Sequence, residues 1–357
     1  MRIDFTILLS LALLAAGCNN SLTGSSTGPG TPGTGGGNSG GGNTGNPGGG
    51  NTGGGNPGGG TGGGNTGGGN TGGGGTGMGG GATVCTGLTT PANDSTQSFN
   101  FGGMSRSYIV HIPPSYDATR GSPLVLNFHG FTEAASIHPR LTGMNPKADA
   151  AGYLAVYPSG TGNPIGWNAG TCCGSAVTNM IDDVGFVRAM LDDIDTKLCV
   201  NKKMIFSAGF SNGGMLTHRL ACTASDRIAA FAAVSGPLVS TPCTPSRPVP
   251  IMHFHGTADQ TVAYNGDPTM GFPDIPTMMA DWATRDACSA TPAQTFMNGM
   301  AACQTWSGCG ASAEVVLCTI TGGGHAWPSG GINLPGTTRD IDADDQMWAF
   351  FQKHPLP

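Results

Sequence analysis

The stretch that decides the fold reads KMIFSAGFSNGGML and covers Lys203–Leu216. Its first half is apolar and favours a strand, and the residues after Gly214 follow a helical pattern. Between the two halves stands a Gly-x-Ser-x-Gly motif at Gly209–Gly213. Glycine at both ends removes the Cβ atoms that would collide in a sharp strand-to-helix turn. We therefore expect Ser211 to be a nucleophile, exposed at the top of a sheet and near a helix amino terminus.

Short apolar runs recur on both sides of this stretch, and we interpret them as strands. They are Tyr108–Ile112, Leu124–Phe128, Leu154–Tyr157, Met204–Phe206, Ile228–Val234, Ile251–His255 and Val315–Ile320. Helical spacing appears between several of them, at Val184–Leu198 behind the cap pair Asp182-Asp183, at Met215–Cys222 and at Met347–Phe351. Strands that alternate with helices predict an α/β fold with a mostly parallel sheet. In such sheets, sites lie beyond the carboxyl ends of the strands.

Two later loops carry candidate partners for Ser211. Strand Ile251–His255 leads to Asp259, and a triple glycine after a further strand leads to His325. The order Ser, Asp, His along the chain is that of α/β-hydrolases. We expect His325 to be the general base and Asp259 to fix its tautomer, with Asp267 as the alternative acid. The triple glycine also predicts that the histidine loop approaches the turn at the nucleophile closely.

The strand Leu124–Phe128 ends in His129-Gly130, and the following loop can present backbone N–H groups to the nucleophile. We expect the N–H groups of Phe131 and Asn212 to form the oxyanion hole. A histidine at a strand end before the nucleophile more often orders the loop. His129 is therefore not expected to be the base.

The chain has 11 cysteines, and ten remain when Cys18 is set aside. An even count at this density favours disulfides in an oxidising compartment. Since no Cys-x-x-Cys pair occurs and no histidine stands at zinc spacing, we expect no metal site and no cofactor. We expect Cys222–Cys243 and pairing within the last four cysteines, which are Cys288, Cys303, Cys309 and Cys318. Cys172-Cys173 forms either one vicinal bridge or two separate ones.

The first 18 residues resemble a secretory signal, with one arginine, an apolar core and small residues before Cys18. Leu14–Cys18 also resembles a bacterial lipoprotein cleavage box, in which Cys18 would carry the lipid; simple secretion is the alternative. Residues 19–81 contain 34 of the 64 glycines, with Asn, Thr and Pro. Because such a segment cannot bury apolar area, we expect a disordered linker. Residues 82–357 then form the folded domain.

Charge and hydropathy limit the partners of the chain. The net charge is −6 and no basic run occurs, which argues against a nucleic-acid partner. The apolar stretch at residues 5–17 is too short for a confident membrane span. A lipid anchor is thus the only membrane attachment expected. We expect an extracellular or cell-surface protein and a monomer.

Several motifs between Ser105 and Phe351 carry a family resemblance. They are Asn127-Phe128-His129-Gly130, Tyr157-Pro158, Trp167-Asn168, Cys172-Cys173-Gly174, Asp182–Phe186, Gly209–Met215, Phe254–Asp259, Trp306–Cys309 and Gly323–Pro328. With them the chain resembles the secreted polyhydroxybutyrate depolymerase-like and feruloyl esterase-like esterases, which include bacterial lipoproteins. The resemblance implies an α/β-hydrolase fold, no metal, and a triad at Ser211, Asp259 and His325. It also suggests that Trp327 lines the substrate groove. Phe131 departs from the family, in which Cys or Gly is common at that position.

The expected activity is that of a serine carboxylic-ester hydrolase that forms an acyl-enzyme. Feruloyl or acetyl esters of plant polysaccharide are the preferred substrates, since the chain ends at Pro357 without the added substrate-binding domain of many polymer-degrading members. Poly(3-hydroxybutyrate) is the alternative substrate. Trp167 is a further candidate for binding the substrate by stacking, although buried packing is the other interpretation of this residue. A non-catalytic, surface-tethered binding module is the alternative of another class.

Overall fold

One mixed sheet dominates this computed structural model, which describes residues 83–91 and 94–357. In the described residues the strands are β1 (Ser95–Phe101), β2 (Met104–His111), β3 (Ser122–Phe128), β4 (Leu154–Pro158), β5 (Val200–Phe210), β6 (Ala230–Val234), β7 (Ile251–Gly256), β8 (Ala293–Asn298), β9 (Ala301–Trp306) and β10 (Val315–Ile320). The predicted signal segment, the lipid-bearing Cys18 and the linker at 19–81 lie outside the described residues.

The strand order is β1-β2-β4-β3-β5-β6-β7-β10-β9-β8. The six central strands, β4 to β10 in that order, run parallel. Antiparallel pairs close both edges, through β1 and β2 on one side and β9 and β8 on the other. The carboxyl ends of β5, β7 and β10 therefore meet at one edge of the sheet, which is where the predicted triad residues follow.

Helices cover both faces of the sheet. They are α1 (His138–Thr142), α2 (Met144–Ala151), α3 (Gly174–Thr178), α4 (Asp183–Asp195), α5 (Asn212–Thr223), α6 (Ile275–Arg285) and α7 (Ala343–Phe351), with a short 3-10 turn at Gly310–Ser312. Apolar side chains of α4, α5 and α6 pack into one buried cluster. Those of α1, α2 and α7 pack into a second. No helix within residues 83–91 and 94–357 is long and apolar enough to cross a membrane.

The predicted α/β fold is confirmed, and each of the seven predicted strands overlaps an observed one. Asp182 caps α4 by accepting a hydrogen bond from the N–H of Gly185 (2.8 Å). Its neighbour Asp183 instead forms a buried ion pair with Arg106 (2.7 Å) and accepts the N–H of Asn168 (2.8 Å). The predicted cap pair is thus one cap and one buried ion-pair partner.

Five disulfides join the ten cysteines of the described region. The predicted Cys222–Cys243 bridge is confirmed, and the last four cysteines pair as Cys288–Cys309 and Cys303–Cys318. Cys172 and Cys173 form the vicinal bridge. Cys85 is bonded to Cys199, which directly precedes β5. This last bridge ties the beginning of the described chain to the amino end of the central strand.

Candidate active site

Ser211 occupies a sharp turn between β5 and α5. Its backbone has φ 55° and ψ −121°, a conformation that non-glycine residues rarely adopt. Two hydrogen bonds hold the turn: the Ser211 N–H donates to the carbonyl of Val234 (2.8 Å), and its carbonyl accepts the N–H of Met215 (2.9 Å). The strained serine at a helix amino terminus is the arrangement expected of a nucleophile elbow.

The glycines of the motif are required by close backbone contacts. A Cβ on Gly209 would lie 2.3 Å from the carbonyl oxygen of Gly213, and a Cβ on Gly213 would lie 2.1 Å from that of Phe128. Real side chains do not tolerate such distances. The turn that presents Ser211 therefore depends on both glycines, as the sequence pattern predicts.

Asp259 and His325 are hydrogen bonded to each other. Oδ2 of Asp259 lies 2.7 Å from Nδ1 of His325, and Oδ1 accepts the backbone N–H groups of Thr261 and Val262, each at 2.8 Å. Burial would raise the pKa of the Asp259 carboxyl, but the facing His325, and after it His255, hold that pKa well below its usual range. Asp259 is therefore an ionised carboxylate that orients the imidazole.

Asp267, the alternative acid, has a different role. Its Oδ1 accepts hydrogen bonds from the backbone N–H and the hydroxyl of Thr269 at 2.9 and 2.6 Å, and from the N–H of Met270 at 3.3 Å. These contacts cap a turn and lower the pKa of Asp267. Among the two candidates, only Asp259 contacts His325.

The glycine-rich loop before His325 packs against the loop that carries Asp259. The N–H of Ala258 donates to the carbonyl of Gly323 (2.9 Å), and a Cβ on Gly256 would lie 2.2 Å from the same oxygen. The close approach predicted for the triple glycine is thus made to the acid loop rather than to the turn at Ser211. The His325 ring nonetheless lies beside that turn: its centroid is 4.8 Å from the ring centroid of Phe210, the residue before Ser211.

The two expected oxyanion donors, the N–H groups of Phe131 and Asn212, have no acceptor among the residues that the structure describes. The carbonyl of Gly130 accepts a hydrogen bond from Nδ1 of His129 (2.8 Å) and from the N–H of Glu133 (3.2 Å). The Phe131 N–H belongs to the same peptide group and points the opposite way. The Phe131 N–H therefore points away from the side on which His129 and Glu133 bind the Gly130 carbonyl.

Glu133 is a site residue that the sequence interpretation missed. Its Oε2 accepts the N–H of Gly130 (2.9 Å), and its Oε1 lies 3.0 Å from Nδ1 of His138. The other ring nitrogen of His138 lies 2.9 Å from Oδ1 of Asn127. Burial would raise the pKa of Glu133, but the facing His138 lowers it overall. In the sequence, the only sign of this role is the position of Glu133, three residues after His129-Gly130.

His129 orders the loop, as predicted. Its Nδ1 donates to the carbonyl of Gly130, and its Nε2 accepts the N–H of Gly160 (3.0 Å). Burial lowers the pKa of this imidazole to about 4. Because both ring nitrogens are engaged in hydrogen bonds, His129 is poorly suited to be a base.

The expectation that Trp167 and Trp327 bind the substrate is corrected. Their exposed fractions are 0% and 1%. The indole N–H of Trp167 donates to the carbonyl of His129 (2.9 Å), and that of Trp327 donates to Oδ1 of Asp344 (3.0 Å). The tight interior leaves no indole face open to a ligand. Both residues support the loops around Ser211 instead.

The side chain of Asn212 connects the elbow to the loop that holds Trp167. Its Oδ1 accepts the Trp167 backbone N–H (2.8 Å), and its Nδ2 donates to the Trp167 carbonyl (3.2 Å). Nδ2 also lies 3.5 Å from the carbonyl of Cys172. Asn212, whose N–H is one of the two expected oxyanion donors, is thereby held in place by its side chain.

The strand, elbow and helix at the centre of a mostly parallel sheet define an α/β-hydrolase. Comparison with known proteins agrees with this class. The Phospholipase/Carboxylesterase family profile matches residues 182–268. The solved acetyl xylan esterase from Aspergillus awamori superposes with a TM-score of 0.52 at 16% identity, covering 72% of this chain and 98% of that one.

Two curated relatives are more similar in sequence. "Feruloyl esterase B" of Piromyces equi is 35% identical over 71% of this chain, but the match spans only 46% of that protein. "Putative esterase NocK" of Nocardia uniformis subsp. tsuyamanensis is 31% identical over 64% of this chain and 72% of its own length. The chain belongs to the same family of α/β-hydrolase esterases as this second relative.

Proposed function

We propose that the protein is a serine carboxylic-ester hydrolase in which Ser211, His325 and Asp259 form the catalytic triad. The observation that carries this proposal is the 2.7 Å bond between Asp259 and His325 beside a strained serine at the elbow. The bond fixes the hydrogen of His325 on Nδ1, because a carboxylate can only accept. Nε2 is then left with a lone pair that can accept the hydroxyl proton of Ser211.

The reaction follows from these assignments. Oγ of Ser211 attacks the ester carbonyl carbon while His325 takes its proton. The tetrahedral intermediate then expels the alcohol, which receives that proton from His325 and leaves an acyl-enzyme. Water then attacks the acyl carbon while His325 takes a proton from it. The second tetrahedral intermediate breaks its bond to Oγ of Ser211, which receives that proton from His325, and the acid is released. Asp259 remains ionised throughout and stabilises the imidazolium.

The developing oxyanion would be bound by the N–H groups of Phe131 and Asn212. Their lack of an acceptor within the described residues supports this role, since a buried donor needs a partner. One such donor is typically worth about 3 kcal/mol of transition-state stabilisation. The Glu133 carboxylate binds the N–H of Gly130 and His129 binds the carbonyl of Gly130, so that this residue is held on both sides and the Phe131 N–H is oriented before the substrate binds.

The proposed substrates are feruloyl or acetyl esters of plant polysaccharide. The names of the relatives, feruloyl esterase B and acetyl xylan esterase, support this class. We further propose that the protein is exported and held at the cell surface by a lipid on Cys18. Five disulfides in the folded domain support an oxidising compartment.

The decisive experiment compares the wild-type protein with Ser211→Ala on methyl ferulate, acetylated xylan and polyhydroxybutyrate granules. We expect wild-type activity on the first two substrates and at least a 1,000-fold loss on substitution, roughly the effect of removing a triad member. A serine-directed phosphonate should label Ser211. Clearing of granules without hydrolysis of methyl ferulate would instead favour a polyester substrate. If Ser211→Ala retains full hydrolysis, the assigned site is wrong. If the wild-type protein binds acetylated xylan but hydrolyses none of the three substrates, a binding module describes the protein better.

A further inference from the structure

Three histidines outside the proposed triad form a continuous row that leads to Asp259. His218 lies on α5, whereas His253 and His255 lie at alternate positions of β7 and therefore share one face of the sheet. All three are buried, with exposed fractions of at most 1%. Nε2 of His218 lies 3.1 Å from Nδ1 of His253, and Nε2 of His253 lies 2.9 Å from Nδ1 of His255.

The direction of each bond in this row follows from its last acceptor. Nε2 of His255 lies 2.8 Å from the carbonyl oxygen of Val262, which can only accept, so this nitrogen carries the hydrogen. When His255 carries this single hydrogen, its Nδ1 accepts from Nε2–H of His253. By the same argument His253 accepts from His218. The row therefore has a single polarity, with every Nε2–H pointing toward Val262.

The row ends at the carboxylate that orients His325. Nε2 of His255 lies 3.4 Å from Oδ2 of Asp259, the same oxygen that accepts from His325. Oδ1 of Asp259 accepts the N–H of Val262, whose carbonyl accepts from His255. His255 thus holds the turn that carries Asp259 and also presents the positive end of an N–H dipole to its carboxylate.

Burial and nearby charge disfavour the protonated forms of His218 and His253. Burial and then the nearby Arg285 lower the pKa of His218 to about 3, and burial holds the pKa of His253 well below its usual range. His218 stacks on Trp282, and His255 meets the edge of Tyr264. The described residues contain no group of His, Cys, Asp and Glu that could hold a metal ion. His218 and His253 therefore act as oriented dipoles.

We propose that His255 is a positioning residue for Asp259, and that His253 and His218 lock its tautomer so that Nε2–H always faces the acid loop. This inference rests on the proposed catalytic role of Asp259. A His255 ring with its hydrogen on Nδ1 would direct a lone pair at both Val262 and Asp259. The Nε2–H of His253 prevents this state, because that N–H needs an acceptor and finds it only when Nδ1 of His255 carries a lone pair.

The test uses two matched pairs, His255→Leu with His255→Gln and His253→Leu with His253→Gln. Glutamine carries an amide nitrogen at about the reach of histidine Nε2 and restores the donor, whereas leucine removes it. For each leucine variant we expect kcat to fall about tenfold with KM within about twofold, and the glutamine variants to recover most of the loss. Without the donor, more of the Asp259 charge faces His325 and favours its imidazolium. The acid limb of the pH–activity profile should therefore move to higher pH.

A second readout does not depend on hydrolysis. The NMR resonance of the His325 Nδ1–H proton reports its bond to Asp259, and it should shift in both leucine variants and return in the glutamine variants. His253→Leu keeps the test decisive if His255→Leu does not fold, since His253 does not contact the acid loop. A folded His253→Leu protein with wild-type kcat, acid limb and proton resonance overturns the proposal. A shifted resonance together with an active Ser211→Ala protein would refute the triad while leaving the positioning of Asp259 intact.

Discussion

Gly256 and Gly323 bring the loops of Asp259 and His325 into direct backbone contact, because a Cβ on the first would lie 2.2 Å from the carbonyl oxygen of the second. We expect Gly256→Ala to force these loops apart and weaken the Asp259–His325 bond. Activity should fall at least tenfold and the protein should lose about 2 kcal/mol of unfolding free energy, within the range for overpacking. Gly322→Ala is the control: its Cβ would meet nothing within 4 Å, so only the strain of φ +71° remains, about 1 kcal/mol. Equal effects of the two changes would contradict the contact.

Replacing Asp259 with asparagine tests the orientation of the imidazole. The amide oxygen of Asn can still accept the N–H groups of Thr261 and Val262, so the turn should persist. Its amide nitrogen, however, would face Nδ1 of His325 as a donor and favour the wrong tautomer. We expect kcat to fall on the order of 1,000- to 10,000-fold while circular dichroism shows that the protein is still folded. Asp267→Asn, in the neighbouring turn, should stay within about twofold of wild type; a comparable loss there would reopen the choice of acid.

Glu133 should act through the Gly130 peptide. In Glu133→Ala the Gly130 N–H and the His138 imidazole both lose their acceptor, and the Phe131 N–H is less well fixed. We expect kcat to fall about tenfold with little change in KM, since the oxyanion interaction strengthens in the transition state. Glu133→Gln retains an acceptor for Gly130 and should lose less. Steady-state kinetics of the two variants, after circular dichroism has shown that both are folded, provide the measurement; a loss confined to KM would argue against the proposed orientation.

The buried Asp344 predicts a pH dependence of stability. Burial, followed by the nearby Asp342, raises the pKa of its carboxyl to about 8 from an ordinary value of 3.8. The folded state then holds a proton that the unfolded state has lost, so stability falls as pH rises from about 4 toward 8. Asp344→Asn keeps an oxygen for the Trp327 N–H and avoids ionisation.

We therefore expect Asp344→Asn to raise the unfolding free energy at pH 8 by on the order of 2 kcal/mol and to change it little at pH 4. Urea unfolding at the two pH values measures this difference. Asp345→Asn is the matched control, because Asp345 lies in the same first turn of α7 but is exposed. If both variants show the same pH dependence as wild type, Asp344 is not the responsible group.

The sequence could predict the parts of the site that depend on local geometry. Gly209 and Gly213 predict the turn at Ser211, because that turn leaves no room for a Cβ atom at either position. His325 and Asp259 follow strands whose direction the α/β pattern fixes. The exposed edge strand β8 has no apolar alternation, so the hairpin it forms with β9 was not predicted.

Features that depend on distant packing could not be predicted in the same way. Trp167 looked like a stacking platform, but its burial is decided by the loop that Asn212 holds. Nothing near His218 in the sequence indicates that it meets His253, 35 residues further on. The contact between Glu133 and His138 forms because α1 brings His138 beside the carboxylate. Each of these contacts joins segments whose spacing along the chain carries no periodic signal.

The Cys85–Cys199 bridge has a mechanical consequence. It fastens the beginning of the described chain just before β5, whereas Ser211 stands directly after the last residue of that strand. Eleven residues of extended strand separate the two points by roughly 35 Å. A domain held from its amino-terminal side would be attached near the end of β5 that lies opposite to Ser211. A force applied on that side would pass through the disulfide to the amino end of β5, the end remote from the turn at Ser211.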